Sequence, residues 1–203
     1  SHKSLPIINH TKERLDTVEI LPFKILIDSG LGSVMVAHLY IPELDNTKNQ
    51  AVSLSPKVVN DLLKEELGFK GMVITDALNM KGVSKFYKPG IVDLKALLAG
   101  SDILLFSEDV PEAINQIKLA INNGEITQEE VDSRCRKILV NKYWMGLSQF
   151  TPINLDKVKN EVTINKTRLI NRKLIENSIT LVQNYDNLIP LKRLDTLNIA
   201  SVC

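Results

Sequence analysis

Cysteine is scarce in this chain: there are two in 203 residues, Cys135 and Cys203. That excludes a disulfide framework, and neither cysteine stands in a metal-ligand spacing. Aromatic residues make up only 5% of the chain, which leaves little for stacking against nucleic-acid bases. An excess of charge is missing too, since 25 Lys+Arg against 24 Asp+Glu leaves a formal net charge of +1. Such a balance provides no basic field for nucleic acid or for an anionic membrane. Long hydrophobic runs are also lacking. Asp, Glu, Lys or Arg interrupts every candidate for the roughly 18 apolar residues of a membrane span, and no charged segment followed by an apolar one opens the chain. Three catalytic motifs fail as well: GxxxxGK[ST], HExxH and GxSxG. Gly30-Leu31-Gly32 precedes a strand pattern instead of following one, and lacks the third glycine of a dinucleotide loop.

What is present is an ordinary globular composition, 44% apolar and 24% charged, which disfavours a disordered chain. Thr11 can cap a helix from about Lys12 to Asp28, kinked by Pro22 and closed by Gly30. The apolar run between Gly32 and His38 reads as a buried strand. Ser55-Pro56 opens a helix through Val58, Val59, Leu62 and Leu63 to Gly68, with Ser55 as its N-cap. Met72 to Thr75 is a second strand, and a polar loop follows to about Gly90. A helix from Val92 to Ala99 leads through Gly100 into a third strand, Ile103 to Phe106. Pro111 starts a helix to about Asn122. Thr127 to Glu130 forms a capping box for a long helix to Met145.

Helices alternating with strands that are apolar throughout predict an α/β fold with parallel strands covered on both faces. The periodicity fails from 148 to 165, which reads as a linker. A helix from Lys166 to Asn177, a strand from Ile179 to Val182 and a last strand from Leu197 to Cys203 read as the beginning of a second α/β domain. The chain starts at Ser1 with no capped element and stops inside a strand pattern, so it reads as an internal segment of a longer protein.

In parallel α/β sheets, ligands bind where the carboxyl ends of strands meet loops and helix N-termini. The polar residues there are His38, Asp76 and Ser107-Glu108-Asp109. Asp76 follows a strand and precedes Ala77-Leu78, and a carboxylate between apolar flanks must be paired, solvated by a cleft or protonated. Two readings stand side by side: a cap of the following turn through its amides, or a catalytic group. His38 likewise reads either as a satisfied buried histidine or as a site residue. Glu108-Asp109 read as caps for the helix near Pro111. His10 reads as a loop residue, and His2 as a loose chain end.

The run from Leu67 to Met80, Leu-Gly-Phe-Lys-Gly-Met-Val-Ile-Thr-Asp-Ala-Leu-Asn-Met, resembles the nucleophile segment of glycoside hydrolase family 3. Its Thr-Asp-Ala-Leu-x-Met form looks like the β-N-acetylglucosaminidase branch. The β-glucosidase branch carries Ser-Asp-Trp at that point. Val34 to Leu39 followed by Pro42 looks like the family's preceding strand. Ser1-His2 with Leu5-Pro6 resembles the end of the branch's Asp-(Ser/Thr)-His element, whose Asp would stand just before Ser1. Leu174 to Asn184 and Leu188 to Leu191 resemble the opening of the family's C-terminal domain.

The resemblance implies the C-terminal portion of a (β/α)8 barrel over residues 1–147, a linker over 148–165, and the start of an α/β sandwich domain over 166–203. It implies a retaining glycosidase that releases terminal β-linked N-acetylglucosamine from peptidoglycan fragments or chitin-type oligosaccharides. Asp76 would be the nucleophile and His2 the acid/base, and a histidine suits that role because its ordinary pKa of about 6.5 lets it give and take a proton near neutrality. Met80 and His38 would line the sugar pocket, although Met80 equally reads as a core-filling residue. No metal and no cofactor are needed. The expected partner is the carbohydrate substrate, with no nucleic acid and no membrane span. The missing barrel half would come from the same protein or from self-association, because an open barrel exposes strand edges. The 203-residue chain alone is expected to be inactive. A location in the bacterial cell envelope or periplasm is favoured over the cytoplasm. The alternatives are a family 3 β-glucosidase or xylosidase, and a catalytically decayed carbohydrate-binding scaffold.

Overall fold

The computed structural model describes residues 2–192, and the expected strand from Leu197 to Cys203 lies outside them. The chain forms two compact units, Ser1–Gln149 and Phe150–Cys203.

In the first unit, the Thr11 hydroxyl accepts the Arg14 amide and starts helix α1, Lys12–Arg14. The helix widens into an i→i+5 turn over Leu15–Glu19, closed by the Ile20 amide on the Leu15 carbonyl. Pro22 then sits in the first turn of a separate helix, α2, Leu21–Asp28. The expected kink is therefore a break between two helices, placed where proline has no amide to offer.

Strands β1, Ser33–Val36, and β2, Met72–Thr75, pair in parallel with Val34 opposite Val73 and Val36 opposite Thr75. The wide helix Lys57–Glu66 connects them and ends on Gly68 at positive φ. Val34, Val36 and Val73 pack with Val58, Val59, Leu62, Leu63 and Phe69 into the main core. Burying each such side chain contributes roughly 1.5–3 kcal/mol. Gly71 brings β2 close to the turn before β1, since a Cβ there would meet the Gly32 carbonyl oxygen and the Phe69 ring at 2.5 Å.

Three sequence expectations need correction here. The strands are not covered on both faces: Val34 and Val36 are buried, whereas Met35 between them is 59% exposed. Only the helix-facing side is packed. The Ser55 side chain does not cap its helix; its hydroxyl turns to Asp45 and donates to Oδ2 at 2.5 Å. The third strand shrinks to a single parallel bridge, Ile74 to Ile103. The Ile103 amide donates to Val73 and the Thr75 amide to Ile103, and side chains supply the bonds beyond them. Asp102 Oδ2 accepts the Val73 amide at 2.8 Å, and Thr75 Oγ1 accepts the Leu105 amide at 3.0 Å. Phe106 at φ 49° then ends the extended run.

The polar loop after β2 contains a short helix, α3, Lys81–Ser84. Helix α4, Ile91–Ala99, packs its Leu97 with Ala120 of α5, Val110–Asn122. The Asp109 side chain caps α5 by accepting the Glu112 amide. The capping box at Thr127 forms in both directions and opens α6, Gln128–Trp144.

In the second unit, the expected linker contains helix α7, Leu155–Val162, capped by Asn154 through the Asp156 amide. Helix α8, Asn165–Ser178, follows as its periodicity predicts. The run Ile179 to Val182 is exposed and not a strand, because no partner strand pairs with it among the described residues.

Candidate active site

Asp76 stands one residue beyond β2, at the carboxyl end of the parallel pair. Its amide donates to the Val36 carbonyl at 3.0 Å, which ties the start of the turn to the end of β1. Leu78 is anchored on the other side, its amide donating to the Leu105 carbonyl at 2.9 Å. The carboxylate itself is half-buried. Oδ1 accepts the Ala77 amide at 2.8 Å. That bond is the turn-capping contact, and it leaves the second oxygen without a bond from the described residues. The carboxylate is thus held in orientation yet keeps an oxygen able to attack or accept a proton.

His38 lies two residues beyond β1 and is fully buried, at 0% exposure. Its Nδ1 sits 2.6 Å from Ser53 Oγ and its Nε2 3.0 Å from the Ala77 carbonyl oxygen. Removal from water pushes its pKa below the ordinary value. The Ala77 bond and the negative charge of Asp76 oppose that only in part. Both ring nitrogens are therefore engaged within the protein, and the ring reaches the Asp76 turn from behind.

Met80 is 8% exposed and sits at the start of α3, its amide donating to the Ala77 carbonyl at 3.1 Å. His2 lies on an exposed, irregular segment. That segment is anchored close by: the Tyr40 amide donates to Pro6, and the Ile8 amide donates back to Tyr40. Leu5 packs against the cluster that includes Leu78. The chain thus brings Leu5, three residues after His2, against the apolar cluster to which Leu78 belongs.

Two supporting residues escaped the sequence reading. Ser53 is buried inside an apolar stretch, and nothing in its spacing distinguishes it. Asp45 is 4% exposed and gathers the Ser55 hydroxyl and both the amide and hydroxyl of Thr47. Burial raises its pKa, but these donors and Lys57 outweigh that and hold it below the ordinary carboxylate value. Among the described residues, no group of three or more His, Cys, Asp or Glu side chains gathers to hold a metal. No helix among them is long and apolar enough to cross a membrane.

A half-buried carboxylate on a turn at the carboxyl end of parallel strands is how (β/α)-type enzymes present a reactive group. Residues 1–140 match the family model described as the glycosyl hydrolase family 3 N-terminal domain. The chain belongs to glycoside hydrolase family 3, and its fold is of the TIM-barrel type of that N-terminal domain.

The solved family 3 β-N-acetylglucosaminidase of Paenibacillus sp. str. FPU-7 superposes with a TM-score of 0.74 at 35% identity, over 85% of this chain and 33% of that one. Beta-hexosaminidase A of Pseudoalteromonas piscicida is 29% identical over 68% of this chain and 26% of its own length. A protein of Cellulomonas fimi named beta-N-acetylglucosaminidase/beta-glucosidase is 26% identical over 84% of this chain and 32% of its own. The chain therefore spans about a quarter to a third of the relatives it matches.

Proposed function

We propose that the full protein is a retaining β-N-acetylglucosaminidase in which Asp76 attacks the anomeric carbon and His2 serves as acid/base. The orientation of the Asp76 carboxylate carries this reading, fixed through Ala77 with one oxygen left without a bond from the described residues. In the first step, a bond forms between that oxygen and C1 of the sugar while the glycosidic C–O bond breaks, and His2 gives its proton to the leaving oxygen. In the second step, His2 takes a proton from water, and the resulting hydroxide attacks C1 and expels the Asp76 carboxylate. The packing of Leu5 against the cluster of Leu78 supports the assignment of His2. Three or four extended residues reach roughly 10–14 Å. Thr75-Asp76-Ala77-Leu78 favours an N-acetylglucosaminide over a glucoside, and peptidoglycan fragments or chitin-type oligosaccharides are the natural class of substrate.

Residues 1–147 are the C-terminal portion of the barrel in this reading, and residues 166–203 begin a C-terminal α/β domain. The open face that exposes Met35 is then a barrel interior, covered by strands from the rest of the protein or from a second copy. Sizing and scattering of the 203-residue chain by itself are expected to show association or incomplete folding. A well-folded monomer would contradict this arrangement.

The test of the activity is nitrophenol release by the full-length protein. Turnover of nitrophenyl N-acetylglucosaminide that disappears in Asp76→Ala supports the proposal. Preference for the nitrophenyl glucoside would move the protein to the β-glucosidase branch, an activity carried in the name of the Cellulomonas fimi relative. No turnover of either would leave a sugar-binding scaffold.

A further inference from the structure

We propose that His38 is a positioning residue for the Asp76 turn: its imidazole, held by Ser53, clasps the Ala77 carbonyl and so fixes the residue whose amide orients the carboxylate. This rests on the reading of Asp76 as nucleophile, and it gives His38 a different task from contacting sugar. The chemistry follows from what each atom can do. A carbonyl oxygen only accepts, so the 3.0 Å contact requires the ring proton to be on Nε2. In the neutral ring Nδ1 is then a bare acceptor, and the Ser53 hydroxyl at 2.6 Å donates to it. The Ala77 carbonyl thereby selects the tautomer, and the Ser53 hydroxyl anchors the other side of the ring.

Ala77 is gripped at both ends. Its amide donates to Asp76 Oδ1, and its carbonyl accepts from His38 and from the Met80 amide. The neighbouring amides of Asp76 and Leu78 are bound by backbone carbonyls of the flanking segments. His38 is thus the side chain that closes the clasp, and a ring at 0% exposure has no surface left for a substrate. Burial also lowers the pKa of the imidazole by disfavouring its charged form.

The experiment compares the full-length wild-type protein with His38→Leu, His38→Gln and Ser53→Ala, using nitrophenyl N-acetylglucosaminide. Displacing a reacting group by about 1 Å costs on the order of a hundredfold, so His38→Leu is expected to lower kcat by about that factor. KM should stay within about twofold, because no sugar contact is removed. His38→Gln restores a donor toward Ala77 and should recover part of the loss, while Ser53→Ala should lower kcat less than His38→Leu. Unchanged kcat in a folded His38→Leu protein overturns the proposal, as does a raised KM with kcat unchanged.

Nitrogen NMR of histidine-labelled wild-type protein at pH 7 decides the matter even if the leucine variant does not fold. The Nε2–H tautomer with a hydrogen-bonded Nδ1 supports the clasp, and the Nδ1–H tautomer overturns it. An inactive wild-type protein would defeat the reading of Asp76 instead, and the tautomer measurement would still report on His38.

Discussion

The two ends of β2 are built for different tasks. At the amino end, Asp102 accepts the Val73 amide and pairs with Lys137 at 2.8 Å, its own side chain 3% exposed. Arg134 donates to the Leu97 and Ser101 carbonyls, and Lys64 to Gly100, so cations cover the C-terminal end of α4. Every charge there has a partner within the chain. At the carboxyl end, by contrast, Asp76 keeps one oxygen without a bond from the described residues, and His38 stands behind it. A cleft of about 360 Å³ opens at the amino end, lined by Lys64, Asp102, Arg134 and Lys137. Its groups are already committed to holding the fold. A cleft by itself therefore does not mark a site.

Substitutions at the two ends should separate activity from stability. The largest effect is expected at Asp76. Asp76→Ala in the full-length protein should cut turnover by at least about a thousandfold, while moving stability by less than about 1 kcal/mol, read by activity assay and thermal melt. The reverse is expected for Asp102→Ala. Leaving Lys137 and the Val73 amide without their buried partner should destabilise by roughly 3–5 kcal/mol in denaturant titration, with kcat of the folded fraction unchanged.

The pH dependence of stability gives a third comparison. His38 has a lowered pKa when folded, so the unfolded chain binds its proton first as pH falls. Its contribution is fully present above the unfolded value of about 6.5 and is lost as pH drops from there toward the folded value. Melting temperature should decline between pH 7 and 5, and His38→Gln should flatten that decline. Asp45, also lowered, keeps its contribution above its unfolded value near 4 and loses it only as pH falls through the folded value. The smallest effect is expected far from both ends: Thr127→Ala removes the cap of α6, for about 1 kcal/mol of stability and no change in kcat.

Local chemistry was the legible part of the sequence. The caps at Thr11, Asp109 and Thr127, the strand Met72–Thr75 and the helix Asn165–Ser178 all follow from residues a few positions apart. What failed depends on distant partners. Ile103 to Phe106 has the composition of a strand, but backbone bonds join it to β2 only around Ile103, and the Asp102 and Thr75 side chains supply the neighbouring bonds. Ile179 to Val182 is equally apolar and pairs with nothing among the described residues. Helix α8 shows the same limit from the other side, since its stripe of Leu169, Ile170, Leu174 and Ile175 is about half exposed. Periodicity specifies a helix without specifying what covers it.

The site divides in the same way. The position of Asp76 at a strand end was readable from the pattern of apolar flanks. The clasp was not, because Ser53, His38 and Ala77 meet only through the fold: Ser53 lies 15 residues from His38, and Ala77 lies 39 residues from it.

The most direct test is covalent trapping in the full-length protein. A 5-fluoro N-acetylglucosaminyl fluoride slows release of the sugar while fluoride departs readily, so the glycosyl-enzyme should accumulate. Peptide mass spectrometry is expected to place the sugar on Asp76. An adduct on any other residue, or full turnover with no adduct after Asp76→Ala, would contradict the assignment of that carboxylate as the nucleophile.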